Sequence, residues 1–248
     1  MVKLKTALVT GASGGIGKAI VKTLIKNGYF VLGQYNNGEN AISNLKAELQ
    51  QEGLLDYFYA YKADFSVKGE AQNLYNQITK SFKRLDALII NAGLDLYKLC
   101  TDTTESEYDT LFDVNVKSGF MLSKLFLPKM TEYKSGKIVF VSSVWGQKGA
   151  CMESVYSSTK WAMIGFAKSL ALEVAPSNIT VNVVCPGVVD TQMNARFDSQ
   201  EMQEIIQQIP AGRLCSPSEV ANVIAFLTSN QADYITGQTI TIDGGFTL

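Results

Sequence analysis

Tyr156 and Lys160 are the side chains in this sequence best suited to proton transfer, and they stand one helical turn apart. On a helix this spacing places both on the same face. A free tyrosine titrates near ~10, and a neighbouring ammonium is expected to lower that pKa. In isolation such a pair is most often an ordinary exposed pair on a helix. With the Ser143 hydroxyl upstream and a glycine-rich turn near the start of the chain, catalysis is the favoured interpretation.

Other acid–base and metal-binding residues are scarce. The chain has no histidine, which removes the commonest general base and metal ligand. Its four cysteines, at positions 100, 151, 185 and 215, form no C-x-x-C pair. We therefore expect neither a metal site nor a disulfide framework.

The glycine-rich turn covers positions 10–17, with the sequence TGASGGIG. It lies between a short apolar run and an amphipathic helix pattern, where glycines allow a tight turn and close approach of a pyrophosphate to backbone N–H groups. A turn without a ligand would need fewer glycines. A P-loop is excluded because it requires glycine at Ala12 and serine or threonine at Ala19.

Apolar periodicity predicts alternating strands and helices along the whole chain. Predicted strands cover 6–10, 30–32, 57–61, 87–90, 137–141, 179–184 and 239–242, and predicted helices cover 16–27, 41–51, 68–82, 114–130, 155–174, 200–209 and 217–228. Several strands are apolar throughout, which suits a parallel sheet covered on both faces. We predict one domain over 1–248, a doubly wound three-layer α/β/α fold with its ligand at the carboxyl ends of the strands.

Composition limits the partners. Lysine and arginine total 22 against 23 acidic residues, for a net charge of −1, so neither nucleic acid nor an anionic membrane is expected as a partner. Charged residues interrupt every apolar run before bilayer length. The first residues leave no room for a secretory apolar region before the glycine turn, so a cytoplasmic location is expected.

With these motifs in place, the whole chain resembles the short-chain dehydrogenase/reductase family. The glycine spacing 11, 15 and 17 matches the cofactor loop of that family. Further matches occur in the family's order: Asp64, Asn91-Ala92-Gly93, Asn115, Ser143, Tyr156 with Lys160, Pro186-Gly187 and Thr191. The resemblance implies a Rossmann-type fold and an NAD(P)(H)-dependent oxidoreductase acting on a C=O/CH–OH pair.

The resemblance also implies roles for individual residues. Tyr156 would give the proton, Ser143 would hydrogen-bond the reacting oxygen, Lys160 would also hold the nicotinamide ribose, and Asn115 would belong to a water chain. Asp64 would contact the adenine unless it only caps a turn. The full set of expected cofactor-binding residues is Gly11, Ser13, Gly14, Gly15, Ile16, Gly17, Tyr35, Asn36, Asp64, Phe65, Asn91, Ala92, Gly93, Tyr156, Lys160, Pro186, Gly187, Val189 and Thr191. A homotetramer built through the helices at 114–130 and 155–174 and the C-terminal strand is also implied.

The choice between NADPH and NADH depends on the segment after the second strand. An acidic residue there would bind the ribose 2′-OH and repel a 2′-phosphate. Tyr35 occupies the expected acidic position, so no carboxylate excludes NADPH. The basic residue often found in the glycine loop of NADPH-preferring members is Gly14 here. We expect NADPH rather than NADH.

For the substrate, the chain resembles 3-oxoacyl-[acyl-carrier-protein] reductases, including its ending at 234–245. The expected substrate is therefore a small or carrier-bound carbonyl compound. In the segments that contain Trp145, Cys151 and Glu153, the chain resembles a subgroup that reduces the 5-aminopentanone modification on elongation factor P. The substrate of that subgroup is a modified protein side chain. Glu153 would there meet a substrate ammonium, although a solvated loop charge is an equally good interpretation. A non-catalytic dinucleotide sensor is the third hypothesis.

Overall fold

The computed structural model describes residues 4–248, and a seven-stranded sheet runs through them. Every neighbouring pair of strands is parallel, and their order is β3-β2-β1-β4-β5-β6-β7. The strands are β1 (Lys5–Val9), β2 (Tyr29–Tyr35), β3 (Phe58–Lys62), β4 (Ala87–Ile90), β5 (Gly136–Val141), β6 (Ile179–Pro186) and β7 (Thr239–Ile242).

Helices cover both faces of the sheet. They are α1 (Gly15–Lys26), α2 (Glu39–Gln51), α3 (Glu70–Ser81), α4 (Glu105–Phe112), α5 (Ser118–Tyr133), α6 (Ser154–Val174), α7 (Ser199–Gln207) and α8 (Pro217–Thr228). One buried cluster joins the sheet to α3, α5 and α6, and a second joins its other face to α1, α2 and α8. The predicted doubly wound α/β/α fold is confirmed.

The alternation of side chains along each strand explains the two clusters. Leu8 of β1 belongs to the first cluster, whereas its neighbours Ala7 and Val9 belong to the second. Strand residues point alternately to opposite faces, so a strand covered on both sides must be apolar at every position. The continuous apolar runs in the sequence have this cause.

The connections reverse direction at β1. The chain moves outward from β1 to β2 and β3, and then crosses back to place β4 on the other side of β1. Val9 pairs with both Gly33 and Ile89, so the carboxyl ends of β2, β1 and β4 lie side by side. In doubly wound sheets this switch point is where a ligand crevice opens.

Most predicted elements agree with the structure to within a few residues, and 217–228 and 239–242 agree at both ends. The helix predicted over 114–130 is wrong at its start. It begins as α4 at Glu105, passes through a π-helical turn, Asp113–Lys117, and continues as α5 to Tyr133. Thr104 and Glu107 form a capping box at the start of α4. The T-x-x-E signature of that box is visible in the sequence.

Among residues 4–248, no helix combines the length and apolar character that crossing a membrane requires.

Candidate active site

The glycine turn connects β1 to α1 and depends on two close backbone contacts. Gly11 has a positive φ of 67°, which side-chain-bearing residues rarely adopt. A Cβ on Gly17 would lie 2.0 Å from the Gly11 carbonyl oxygen, so only glycine fits there. The first helix-type bond of α1 joins Lys18 N–H to the Gly14 carbonyl at 2.9 Å. The preceding N–H groups have no helical partner and can bind an anion.

Three side chains from neighbouring strands hold this turn. The Thr10 hydroxyl oxygen accepts from the backbone N–H groups of Asn91 and Ala92, each at 2.9 Å. The Asn91 amide donates to the Thr10 and Gly11 carbonyls at 2.9 and 3.2 Å. Gln34 accepts from Gly11 N–H at 2.9 Å and donates to the Ala63 carbonyl at 2.7 Å. Asn91 therefore stabilises the glycine turn through hydrogen bonds to its backbone. Gln34 does the same and was not predicted from the sequence.

Tyr156 and Lys160 lie on one face of α6, and both are almost fully buried, at 8% and 4% exposure. The Lys160 Nζ is 5.5 Å from the centre of the Tyr156 ring and donates to the Val141 carbonyl at 3.1 Å. Ser143 follows β5, and its Oγ accepts from Trp145 N–H at 3.2 Å. Ser143 and Tyr156 line the same pocket, so the three predicted catalytic groups come together at the carboxyl edge of the sheet.

Asn115 lies in the π-helical turn and is fully buried. Its amide nitrogen donates to the Leu94 carbonyl at 2.9 Å and to the Thr159 hydroxyl at 3.0 Å, and its oxygen accepts from Leu94 N–H at 2.7 Å. It therefore ties the loop after β4 to helix α6. π-Helical turns are rare and concentrate at functional sites. The water-chain role of Asn115 stays a prediction.

Two adjoining hollows open at this edge, and Tyr156 lines both. The first, here called the long cleft, starts at the glycine turn. Its lining includes the predicted residues Gly11, Ser13, Gly14, Gly15, Ile16, Gly17, Asn36, Asp64, Phe65, Asn91, Ala92, Gly93, Lys160 and Thr191. The second, here called the side pocket, is lined by the predicted residues Ser143, Pro186, Gly187 and Val189, and shares Ile16 and Thr191 with the cleft.

Comparison with known proteins decides the family. Residues 5–202 match the family model described as short chain dehydrogenase. The chain belongs to the short-chain dehydrogenase family. It is 43% identical over 242 residues to the "Uncharacterized oxidoreductase YmfI" of Bacillus subtilis (strain 168), covering 98% of each chain.

Relatives with a named activity extend over nearly the same length. The chain is 37% identical over 243 residues to the 3-oxoacyl-[acyl-carrier-protein] reductase FabG of Escherichia coli (strain K12), covering 97% of this chain and 96% of the relative. It is 37% identical over 244 residues to the corresponding reductase of Rickettsia felis (strain ATCC VR-1525 / URRWXCal2), covering 98% and 97%. The chain is thus an oxidoreductase that acts on a carbonyl or hydroxyl group with an NAD(P)-type nucleotide, as the sequence indicated.

One expected cofactor residue of this short-chain dehydrogenase lies elsewhere. Tyr35 ends β2 half-buried, packs against the core around α1 and α2, and does not line the long cleft. Since strand residues alternate between faces, its neighbours Gln34 and Asn36 point the other way and line the cleft. Asn37 lines it too. Of the two cofactor residues expected after β2, Asn36 therefore lines the long cleft and Tyr35 does not.

Asp64 caps a turn and also lines the long cleft. Its Oδ1 accepts from Ser66 N–H at 3.0 Å and from the Ser66 hydroxyl at 2.7 Å, so it does cap a turn. These bonds hold the pKa of the Asp64 carboxyl below its ordinary value. The side chain also lines the long cleft, where it can still contact a ligand.

The pKa of Tyr156 is shifted in the direction opposite to the one expected from the sequence. Burial raises the pKa of its phenol, and the carboxylates of Asp95 and Glu153 raise it further, while the Ser143 hydroxyl opposes them. The pKa of the phenol is therefore raised overall, although the neighbouring Lys160 alone was expected to lower it. Burial instead lowers the pKa of Lys160 itself to about 8. At neutral pH the phenol is fully protonated, which suits a proton donor.

The side pocket contains residues that the sequence analysis missed or misjudged. Glu153 is 5% exposed, so the solvated-loop interpretation is wrong. Asp95 and Arg196 line the same pocket and were not singled out. No local pattern marks them, because they come from the loop after β4 and the segment after β6, and meet Glu153 only in the fold.

Proposed function

We propose that this chain is an NADPH-dependent carbonyl reductase of the 3-oxoacyl-[acyl-carrier-protein] reductase type, built as a single domain over 1–248. The observation that carries the proposal is the position of Tyr156, which lines both the long cleft and the side pocket. A group at that junction can contact a nucleotide in the long cleft and a carbonyl compound in the side pocket. The printed names of the Escherichia coli and Rickettsia relatives support the substrate class.

The long cleft fits a dinucleotide. The free N–H groups at the start of α1 suit a pyrophosphate, and Asp64 and Phe65 lie where an adenine would extend from it. A Cβ on Gly93 would lie 3.4 Å from both the Lys160 Nζ and the Asn115 Oδ1, so this glycine lies directly against both side chains. When bound, the nicotinamide supplies the hydride for the carbonyl carbon.

The side chains of the protein supply the rest of the reaction. Tyr156 donates its proton to the carbonyl oxygen as negative charge develops there, and the Ser143 hydroxyl donates a hydrogen bond to the same oxygen. The Lys160 ammonium stabilises the phenolate that remains and binds the nicotinamide ribose. Asn115 holds the loop after β4 against α6 and so fixes the position of the catalytic helix. Through the water chain that the resemblance implies, Asn115 would help return a proton to Tyr156.

We propose NADPH as the preferred nucleotide. The long cleft beyond β2 is lined by the uncharged Asn36 and Asn37, and Lys18 lies in the same lining. A 2′-phosphate there would face a lysine, while the carboxylates of Asp64 and Glu39 are engaged by Ser66 and Lys62. A cation close to a phosphate favours its binding.

The nucleotide preference gives a direct prediction. We expect kcat/KM for NADPH to exceed that for NADH, and Asn36→Asp to reverse the preference by adding a carboxylate that binds the ribose hydroxyl and repels the phosphate. The ratio of kcat/KM for NADPH to kcat/KM for NADH should change by about 10- to 100-fold. Asn76→Asp, on the exposed surface of α3, makes the same change away from the cleft and should keep the wild-type ratio. A wild-type enzyme that prefers NADH would refute the proposal.

The thioester substrate is tested by NADPH oxidation with acetoacetyl thioesters of acyl carrier protein and of a short pantetheine analogue. We expect turnover of both, with Ser143→Ala reducing kcat by about 10²-fold or more through loss of one hydrogen bond to the reacting oxygen. Ser158→Ala, an exposed serine on the same helix as Tyr156, is the control. Absence of thioester turnover in an enzyme that reduces other ketones would refute this substrate class.

A second substrate, the 5-aminopentanone group on elongation factor P, is favoured by one observation. Buried Glu153 lines the side pocket, where it can face an amino group of the substrate. Assay of NADPH oxidation with the modified protein distinguishes this candidate from the thioester. The dinucleotide-sensor hypothesis requires cofactor binding without turnover of any carbonyl compound, and the convergence of Ser143, Tyr156 and Lys160 argues against it.

Assembly and location remain proposals. Phe120 on α5 and Trp161 and Leu172 on α6 are exposed apolar side chains, at 43%, 51% and 81%, and support a homotetramer formed through these helices. The cysteines at 100 and 151 are free and exposed, which suits the reducing cytoplasm. We propose no nucleic acid or membrane as partner.

A further inference from the structure

Trp145, Lys148 and Phe246 lie together at the side pocket and are here called the aromatic rim. Trp145 and Phe246 both line the pocket, and their rings meet edge to face with their centres 5.8 Å apart. The Lys148 Nζ lies 5.8 Å from the centre of the Trp145 ring and 5.4 Å from that of the Phe246 ring. Aromatic rings attract an ammonium at such distances. The lysine is therefore held beside the pocket by two residues of its wall.

The backbone that carries Lys148 belongs to a compact turn after β5. Lys148 N–H donates to the Val144 carbonyl at 3.1 Å. The side-chain amide of the preceding residue, Gln147, exchanges two hydrogen bonds with the Thr241 hydroxyl of β7, at 3.0 and 3.1 Å. The fold thus fixes the point from which the lysine side chain extends.

The segment that carries Phe246 is held by one aspartate. The Asp243 carboxylate accepts from the N–H groups of Gly245 and Thr247 at 3.0 and 2.9 Å, and from the Thr247 hydroxyl at 2.6 Å. Phe246 lies within this hydrogen-bonded turn and lines the pocket from it. Both aromatic members of the rim are therefore set in place by the protein before any ligand binds.

Lys148 carries a free charge. It is exposed and forms no ion pair within residues 4–248. Arg196, a cation that lines the pocket directly, differs because it pairs with both Asp95 and Glu153. Arg196 is thus engaged by the protein, whereas the Lys148 ammonium is available to an anionic ligand.

The charges beside the side pocket also determine where an anion can bind. Around Asp95 and Glu153, two carboxylates share a single arginine, so this region does not attract an anion. The aromatic rim instead carries an ammonium without a carboxylate. A substrate that bears a negative charge and places its carbonyl at Tyr156 is therefore expected to leave the pocket along the rim, where its charge can meet Lys148.

We propose that Lys148 binds the phosphate ester of a pantetheine arm that carries the thioester substrate. The proposal rests on the thioester-reductase function above and names a residue that recognises the carrier. In this complex the 3-oxo group contacts Tyr156 and Ser143. The arm, which is uncharged up to its phosphate, lies along the Trp145 and Phe246 rings, and the phosphate meets the Lys148 ammonium. Lysine binds phosphate as a point charge and needs no further geometry.

The test compares two substrates that differ only in the phosphate, acetoacetyl-pantetheine and acetoacetyl-4′-phosphopantetheine, with NADPH saturating the long cleft. We expect kcat/KM for the phosphorylated thioester to exceed that for the other by about 5- to 20-fold, since the ion pair is partly open to solvent. The ratio should approach unity in about 1 M KCl, where the Debye length is about 3 Å. Because the readout is a ratio on one enzyme, a general loss of activity in a variant cancels.

Variants assign the preference to one side chain. Lys148→Met keeps an unbranched side chain against the two rings and removes the charge, so the ratio should fall to within about twofold of unity. Lys148→Arg should retain a preference for the phosphate. Lys46→Met, on the exposed surface of α2, is the matched control and should keep the wild-type ratio. Equal turnover of the two thioesters by the wild type, or a preference that survives Lys148→Met, would overturn the subsite while leaving the reductase function intact.

The source of the phosphate is tested with acetoacetyl-acyl carrier protein and acetoacetyl-coenzyme A, whose thioesters are held by the same arm. We expect Lys148→Met to reduce kcat/KM for the carrier-protein substrate by about 5- to 20-fold. A loss confined to the coenzyme A thioester would refute the carrier as the ligand of Lys148.

A binding measurement separates the subsite from the reductase function. Calorimetric titration of the enzyme saturated with NADP⁺ should show tighter binding of 4′-phosphopantetheine than of pantetheine, and Lys148→Met should abolish the difference. If no thioester is turned over but this difference occurs, the subsite stands and the thioester-reductase function fails. If the two compounds bind equally to the wild type, the subsite is refuted whatever the activity.

Discussion

Tyr156→Phe is expected to reduce carbonyl reduction by about 10²- to 10⁴-fold, the usual contribution of a general acid. The substitution removes one oxygen and leaves the ring, which lies 5.5 Å from the Lys160 Nζ, in place. Affinity for NADPH should change little, because most of the long cleft is formed by other residues. The measurements are kcat at saturating NADPH and ketone, and a fluorescence titration with NADPH.

The expected loss of activity is large because no other side chain that lines the side pocket can replace the Tyr156 phenol as proton donor. The chain has no histidine, and Lys160, which donates to the Val141 carbonyl at 3.1 Å, lines the long cleft and not the side pocket. The Ser143 hydroxyl is too weak an acid to replace a phenol. With the tyrosine oxygen gone, the developing alkoxide has no proton donor among the groups that line the pocket beside it.

Tyr59→Phe is the matched control, since Tyr59 lies on β3 and is 54% exposed. It should retain wild-type kinetics. Turnover by Tyr156→Phe within about threefold of the wild type would contradict this mechanism.

Much of the fold follows from local sequence because each strand must be apolar on both faces. The run that became β4 and residues 138–141 of β5 carry this pattern without interruption, and the Thr239–Ile242 strand lies between Gly237 and Gly244. The π-helical turn around Asn115 could not be predicted in this way. It is stabilised by the bonds of one amide to Leu94 and Thr159, which are distant in the chain.

The candidate site likewise contains some residues that local sequence predicts and others that it does not. The glycine turn, Ser143, Tyr156 and Lys160 were predictable because their spacing matches a family pattern in which strand ends bring them together. Asp95 and Arg196 were not, since an acid after β4 and an arginine after β6 become partners only when the loops fold over the side pocket. Burial raises the pKa of the Tyr156 phenol, and the Asp95 and Glu153 carboxylates raise it further, so this shift too depends on the folded environment and was not predictable from local sequence.

Gly17→Ala is expected to weaken NADPH binding by about 10- to 100-fold, corresponding to about 1.4 to 2.7 kcal/mol. The added Cβ would lie 2.0 Å from the Gly11 carbonyl oxygen and 2.8 Å from its carbon, so the turn must move. Because Gly11 is bound to Gln34 and Asn91 on its other sides, the movement also breaks those hydrogen bonds. The free energy of unfolding should therefore fall too, by about 1 to 3 kcal/mol.

Gly165→Ala on α6 separates the steric cause from a general intolerance of alanine at glycine positions. Nothing lies within 4 Å of the Cβ that it adds, and its helical backbone accepts alanine. Calorimetric titration with NADPH and denaturant unfolding should show wild-type affinity and unchanged or slightly raised stability. If Gly17→Ala binds NADPH as tightly as Gly165→Ala does, the turn at 11–17 does not bind the pyrophosphate, and the nucleotide must occupy a different part of the molecule.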